Sequence, residues 1–326
     1  MTQIDGLIVS DPQNNRNLTN PMRAFHEQWA DFGMGDWSFQ KVITPEQDDV
    51  LNILMIGSSG CYYYVEELYG LLEAAGIKAN VCNVYYSGCK LYQHYNWWKN
   101  KESHYEFFCT NGEGRKKTAG VSLEWCLAQQ EWDVLTLQES GLGAFRDITV
   151  EDALAEREVY LTELYGYLKD QFPKADFYWH ESAAYQIGYS RSFTVESIEQ
   201  QRQDTAHYRE FALAVCQQYD VDWIPRGDAK MLVREGGYDQ LCARLGKGEN
   251  HEGDYYHAGD IGGGQYLTAC VWFETLTGLS PIGNPYRPVY TYNKVVYELN
   301  EGITYEALQE YAHQAVLNKA LYKSEQ

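Results

Sequence analysis

The sequence predicts a three-layer α/β/α fold built on a doubly wound parallel sheet. Short apolar runs recur along the chain: LNILMIGSS at 51–59, ANVCNVYYSG at 79–88, WDVLTLQES at 132–140, ADFYWHES at 175–182 and VDWIPRGD at 221–228. Their length and continuous apolar character read as strands buried on both faces. Helical segments separate them, and alternation of this kind calls for a parallel sheet covered by helices on each side.

Residues 1–48 show little periodicity and carry turn signals at Asp11-Pro12, Asn20-Pro21 and Gly33 to Gly35, so they read as an extension packed on the domain. The first strand ends in small residues at Gly57-Ser58-Ser59. In the YYYVEELYGLLEAAG that follows, Val65, Leu68, Leu71 and Leu72 share one helical face. Further helices are expected over 151–171, 196–219, 262–277 and 304–323. Residues 90–120 break the rhythm with a Trp- and Tyr-rich stretch and a hairpin signal at Thr110-Asn111-Gly112, because Asn-Gly favours the positive φ angles of a tight turn. This segment reads as an insertion at the strand ends, where it would wall a cleft. The main domain then covers 49–285, and 286–326 form a C-terminal segment and helix.

A chain of 326 residues with 44% hydrophobic content is long enough for one large packed domain. Its formal charge of -20 repels phosphate backbones and anionic lipid headgroups, so neither nucleic acid nor a membrane surface is expected as partner. Eight cysteines, at 61, 82, 89, 109, 126, 216, 242 and 270, form no C-x-x-C pair and read as reduced, mostly buried small hydrophobes. The first 21 residues lack the basic and apolar regions of a secretory leader, and no run approaches the ~20 apolar residues of a membrane span, so a cytoplasmic location is expected. Aromatic residues make up 15%, clustered at YYY 62–64 and YNWW 95–98. They suit either stacking on sugar or phenolic rings or ordinary packing.

Three short segments carry chemistry: Gly57-Ser58-Ser59 after the first strand, Ser87-Gly88 after the second, and Asp254-Tyr255-Tyr256-His257 near the end. A serine hydroxyl is a weak nucleophile until an imidazole takes its proton, and a turn into a helix exposes Oγ while offering backbone N–H groups to a developing oxyanion. An Asp three residues before a His can hold Nδ1–H and leave Nε2 as the base. The flanking Gly253, Gly259 and Gly262 to Gly264 put that pair on a loop before a helix.

At these positions the chain resembles the SGNH (GDSL-like) hydrolase superfamily, and more closely a bacterial SGNH-type family of unknown function (DUF4886-like), over roughly residues 50–285. The resemblance implies the flavodoxin-like SGNH fold and a serine esterase acting through an acyl-enzyme without a cofactor, on a small-molecule ester. It assigns Ser59 as nucleophile, His257 as base and Asp254 as the residue that orients the base, with Ser59 and Gly88 donating to the oxyanion. The family's motif Asp is Ser58 here, and the Gly-x-Asn-Asp block expected after the third strand reads Leu137-Gln138-Glu139-Ser140. Gln138 then stands where the Asn donor of the oxyanion hole is expected. His180, Glu139 and Trp97 are candidate substrate contacts, and the substrate suggested by analogy is an O-acyl carbohydrate or a small aromatic ester.

Other readings of the same residues compete. Ser58 and Cys61 are rival nucleophiles, although a cysteine in the first helical turn is expected to be buried. His251, Asp254, His257 and Asp260 recur at intervals of three and form a metal-ligand pattern, which the intervening glycines keep off a single helix face, so no metal is expected. Asp133 reads as a solvated strand-start residue. The Gly-x-Ser-x-Gly elbow of α/β-hydrolases fails because position 61 is Cys, and the Gly-x-Gly-x-x-Gly of dinucleotide-binding folds is absent after the first strand. A fold-retaining carbohydrate-binding protein and an acyltransferase using the same triad are the alternative functions.

Overall fold

The computed structural model describes residues 50–139, 146–190, 194–238, 244–245, 263–288, 290–292, 295–299 and 302–324. The proposed extension over 1–48 lies outside the described residues. Seven strands form the main sheet: β1 (Leu51–Gly57), β2 (Ala79–Tyr85), β3 (Tyr105–Asn111), β4 (Gly114–Val121), β5 (Val134–Leu137), β6 (Asp176–His180) and β7 (Asp222–Ile224). Their order is β4-β3-β2-β1-β5-β6-β7. The five strands from β2 to β7 in this order run parallel, as continuous apolar runs require.

The sheet is mixed rather than purely parallel, which corrects one expectation. Residues 90–120 fold as a short helix followed by the hairpin β3–β4, and the hairpin extends the sheet antiparallel from the β2 edge. The Asn-Gly turn signal was therefore sound. A two-residue connection needs no crossover, so the strands it joins must be antiparallel.

Helices cover both faces. On one side lie α1 (Val65–Ala74), α7 (Arg226–Glu235), α8 (Gln265–Thr277) and α9 (Tyr305–Ser324). On the other lie α2 (Leu91–Lys99), α3 (Leu123–Leu127), α4 (Val150–Ala155), α5 (Glu158–Gln171) and α6 (Ile198–Tyr219). Alternate residues of each strand feed the two cores: Ile53 and Met55 join the first, Leu54 and Ile56 the second. Two boundaries differ from the sequence reading. The strand read over 221–228 stops at Ile224, and Arg226 already opens α7 beyond Pro225. The helix read over 151–171 is two, broken at Glu156-Arg157. A small antiparallel sheet of β8 (Arg244–Leu245), β10 (Val295–Glu298) and β9 (Tyr290–Tyr292) was not read from the sequence.

At the amino ends of the parallel strands, polar side chains cross four strands. Asn111 donates to Asn80 Oδ1 at 3.0 Å, Asn80 donates to Asn52 Oδ1 at 2.8 Å, and the Asn52 backbone donates to Asp133 Oδ2 at 2.8 Å. The three asparagines are buried, so each amide is satisfied by its neighbour rather than by water. Asp133 is exposed as expected, yet it anchors the row. Replacing Asn80 with Ala removes two of these bonds and leaves buried partners behind. The expected loss is about 1–3 kcal/mol, read as a lower urea midpoint at unchanged m-value.

Candidate active site

The strand order places a topological switch point between β1 and β5, since the chain leaves β1 toward β2 and later returns on the opposite side. In open parallel sheets, ligands sit at the carboxyl ends of strands at such a point. Ile56 pairs with Leu137 and with Val84, and Leu137 pairs with Trp179. Two positions further along β1 and β2, and one position further along β5 and β6, come the residues that end the strands: Ser58, Tyr86, Gln138 and His180.

Ser59 opens a 3-10 turn, Ser59–Cys61, capped by Ser58. Ser59 is half-buried, whereas Ser58 is only 1% exposed. The Ser58 hydroxyl donates to Gln138 Oε1 at 2.9 Å, and the Ser58 backbone N–H donates to the same oxygen at 3.0 Å. Cys61 is buried as expected. Its thiol donates to the Ser58 carbonyl at 3.3 Å and accepts from Asn83 Nδ2 at 3.2 Å, and burial pushes its pKa up to about 12. A thiol held neutral in this way is a poor nucleophile.

A side chain at Gly57 or Gly60 would crowd Gln138. A Cβ on Gly57 would lie 2.7 Å from Cys61 Sγ and 2.8 Å from Gln138 Oε1, and one on Gly60 would lie 3.0 Å from Gln138 Nε2. Gly88 follows β2 in an exposed turn with φ +69, a conformation that favours glycine. The turn is tied to β1 by the Tyr86 N–H, which donates to the Gly57 carbonyl at 3.4 Å.

Gln138 is buried with its Oε1 turned to Ser58, while Nε2 donates to the Glu139 carbonyl at 2.5 Å. Glu139 is also buried and accepts from Arg157 Nε at 2.6 Å. Trp97 is half-buried and packs edge-on against Tyr86 at 4.8 Å, and Tyr86 is 39% exposed. Lys90 stands two residues beyond Gly88, its pKa lowered by burial.

His180 was expected at the cleft mouth. The structure gives it 0% exposure, with Nδ1 at 3.4 Å from Tyr64 Oη and edge-on contacts to Tyr64 and Trp272. Side chains alternate along β6, so the ring next to Trp179 turns into the opposite core, beneath α1 and α8. Asp254 and His257 lie outside the described residues, as do His251 and Asp260. Among the described residues there is no group of three or more His, Cys, Asp or Glu side chains placed to hold a metal ion, and no helix long and apolar enough to cross a membrane.

A model of the family described as "Domain of unknown function (DUF4886)" matches residues 52–307, most of the 326-residue chain. The chain belongs to the DUF4886 family. A crystal structure of a DUF4886 protein from Bacteroides uniformis shares the fold, with a TM-score of 0.64 at 23% identity over 82% of this chain and 95% of that one. Two more distant likenesses are an acetyl xylan esterase (TM-score 0.42, 15% identity, 69% of this chain and 100% of that one) and the acetylxylan esterase Axe2 from Geobacillus stearothermophilus (0.38, 13%, 72% and 94%). No curated protein matches the sequence significantly.

Several residues at this DUF4886 site were not singled out in the sequence. Asn83 donates from within β2 to Met55 O at 3.1 Å and Cys61 O at 3.3 Å, and an Asn between Cys82 and Val84 in the apolar centre of the strand is the signal that reveals it. Gln265, at the start of α8, donates to the Tyr63 carbonyl at 2.5 Å and fixes that helix end beside the Ser59 turn. Glu181 accepts at 2.8 Å from the Gly227 N–H at the start of α7. Burial, with Asp228 nearby, holds its pKa well above the carboxylate range.

Gly57→Ala drives a methyl into Gln138 and Cys61, so the variant is expected to lose stability by about 1–3 kcal/mol in urea unfolding. A carboxyl whose folded pKa is raised binds more protons folded than unfolded, so stability falls as pH rises from about 4 toward the folded value. Glu181→Gln keeps an acceptor for the Gly227 N–H, and its urea midpoint should therefore decline less than that of the wild type between pH 4 and pH 8.

Proposed function

We propose that this DUF4886 protein is a serine hydrolase of the SGNH type that cleaves a carboxylic ester through an acyl-enzyme on Ser59. The observation that carries the reading is the sorting of the turn after β1: Ser59 is half-buried at the switch point, while Ser58 and Cys61 are buried and bonded. In this reading His257 takes the Ser59 proton through Nε2 as Oγ attacks the carbonyl, and Asp254 holds Nδ1–H. The oxyanion rests on the N–H groups of Ser59 and Gly88. Collapse expels the alcohol, which leaves with the proton from His257. Water then attacks the acyl-enzyme by the same route and releases the acid.

Chain reach supports this pairing. Five residues lie between His257 and Gly263, where the described chain resumes two residues before Gln265, and such a segment spans at most about 20 Å. The exposed Tyr86 ring, braced by Trp97 on the turn that carries Gly88, favours an alcohol with a flat ring face, either a sugar or an aryl group.

Purified protein should hydrolyse p-nitrophenyl acetate and acetylated sugars, and a fluorophosphonate should label Ser59. Ser59→Ala and His257→Ala are each expected to lower kcat by three or more orders of magnitude without unfolding, because members of such a unit act together. Normal turnover by Ser59→Ala overturns the assignment. Sugar binding without labelling supports a non-catalytic module instead.

A further inference from the structure

The turn after β1 is connected to the opposite helical layer by polar contacts that run through Gln138 and Glu139. The Gly60 N–H donates to Ser58 Oγ at 3.4 Å, and the Ser58 hydroxyl donates to Gln138 Oε1 at 2.9 Å. Gln138 Nε2 donates to the Glu139 carbonyl at 2.5 Å, and the Glu139 carboxylate accepts from Arg157 Nε at 2.6 Å. Arg157 also donates from Nη1 to the Ala153 carbonyl at 2.8 Å, which fixes it at the joint between α4 and α5. Ser58, Gln138 and Glu139 are all buried, so their bonds meet little competition from water.

We infer that Ser58, Gln138 and Arg157 form a positioning relay, in which Gln138 serves Ser59 by clamping Ser58 rather than by touching the substrate's oxygen. This rests on the proposed role of Ser59 as nucleophile. Two features of the amide carry it. Both hydrogen bonds from Ser58 converge on Oε1, so the atom of the amide that meets Ser58 is an acceptor committed to holding the turn. Nε2 gives one of its two hydrogens to the Glu139 carbonyl. The same amide fills the space that side chains at Gly57 and Gly60 would occupy, so its placement fixes the backbone on both sides of Ser59.

The break between α4 and α5 acquires a purpose in this light. An uninterrupted helix over 151–171 would carry residue 157 past on the helix surface. At the joint its backbone adopts φ -107, and the guanidinium reaches Glu139. The break therefore lets a residue of the α5 layer hold the end of β5 at the switch point.

The relay is tested by p-nitrophenyl acetate kinetics on the full chain, with fluorophosphonate labelling rates and thermal unfolding measured alongside. Gln138→Leu removes the acceptor and is expected to lower kcat on the order of tenfold to a hundredfold with KM changed less than about twofold, since a misaligned nucleophile affects chemistry rather than binding. Gln138→Glu retains the acceptor for both Ser58 bonds and deletes the donor, so it should recover most of the kcat lost in Gln138→Leu. Ser58→Ala and Arg157→Met should slow labelling of Ser59 in the same sense, and Ser58→Ala combined with Gln138→Leu should cost little more than either alone. If Gln138→Glu is as damaging as Gln138→Leu, or if the Ser58 and Gln138 losses multiply, the relay is wrong and Gln138 acts as a direct donor. If Ser59→Ala is inactive while Ser58→Ala and Gln138→Leu turn over at the wild-type rate, the relay fails and the nucleophile stands. Turnover by Ser59→Ala removes the reading beneath both.

Discussion

Gln138 reaches across the gap between two parallel strand ends, and its buried amide has to be satisfied there, because no water competes for it. Its carbonyl oxygen takes both hydrogens that Ser58 offers, and its nitrogen takes the carbonyl of the next residue. An unpaired buried amide would cost about 1–3 kcal/mol, so the ends of β1 and β5 are locked in one relative position. The absence of Cβ atoms at Gly57 and Gly60 is the steric counterpart of this electrostatic fit. The turn that presents Ser59 is thus shaped by a residue eighty positions away and not by local propensity.

The sheet makes that contact available. Parallel registry brings Ile56, Leu137 and Trp179 to one level, and the residues that leave the strands just beyond them emerge together at the switch point. At the other end of the same strands, the Asn111, Asn80, Asn52 and Asp133 series joins four strands side by side. Slippage by one residue would turn every strand side chain to the wrong core and also break the polar row. Register is therefore specified at both ends of the strands, which suits a site assembled from separate strand termini.

The parallel strands, the turn after β1 and the glycine turn after β2 were legible because each is written locally: continuous apolar runs and small residues at strand ends. Features that depend on partners were not. Nothing around residue 157 announces a helix break, and the partner that Arg157 meets at the joint, Glu139 just beyond β5, is distant in sequence. His180 was read correctly as a strand-end residue but given the wrong surroundings, because alternation on β6 aims it at Tyr64 and Trp272 and no nearby residue says so. The hairpin signal at Asn111-Gly112 was legible as a turn, whereas its docking on the β2 edge depends on cross-strand pairing such as Cys82 with Cys109.

Within four consecutive positions the chain offers three oxygen or sulfur nucleophiles, and the 3-10 geometry sorts them. Ser58 is the extended cap of the 3-10 turn and Cys61 its last residue; both are buried, whereas Ser59, which opens the turn, is half-buried. Ser58 and Cys61 are bonded on the inner side. There the Cys61 thiol meets the Ser58 carbonyl and Asn83, and the Ser58 hydroxyl meets Gln138. A sequence that repeats Ser at 58 and 59 is not redundant in this turn: the Ser58 hydroxyl is consumed in holding it, and Ser59 is left the more exposed of the two.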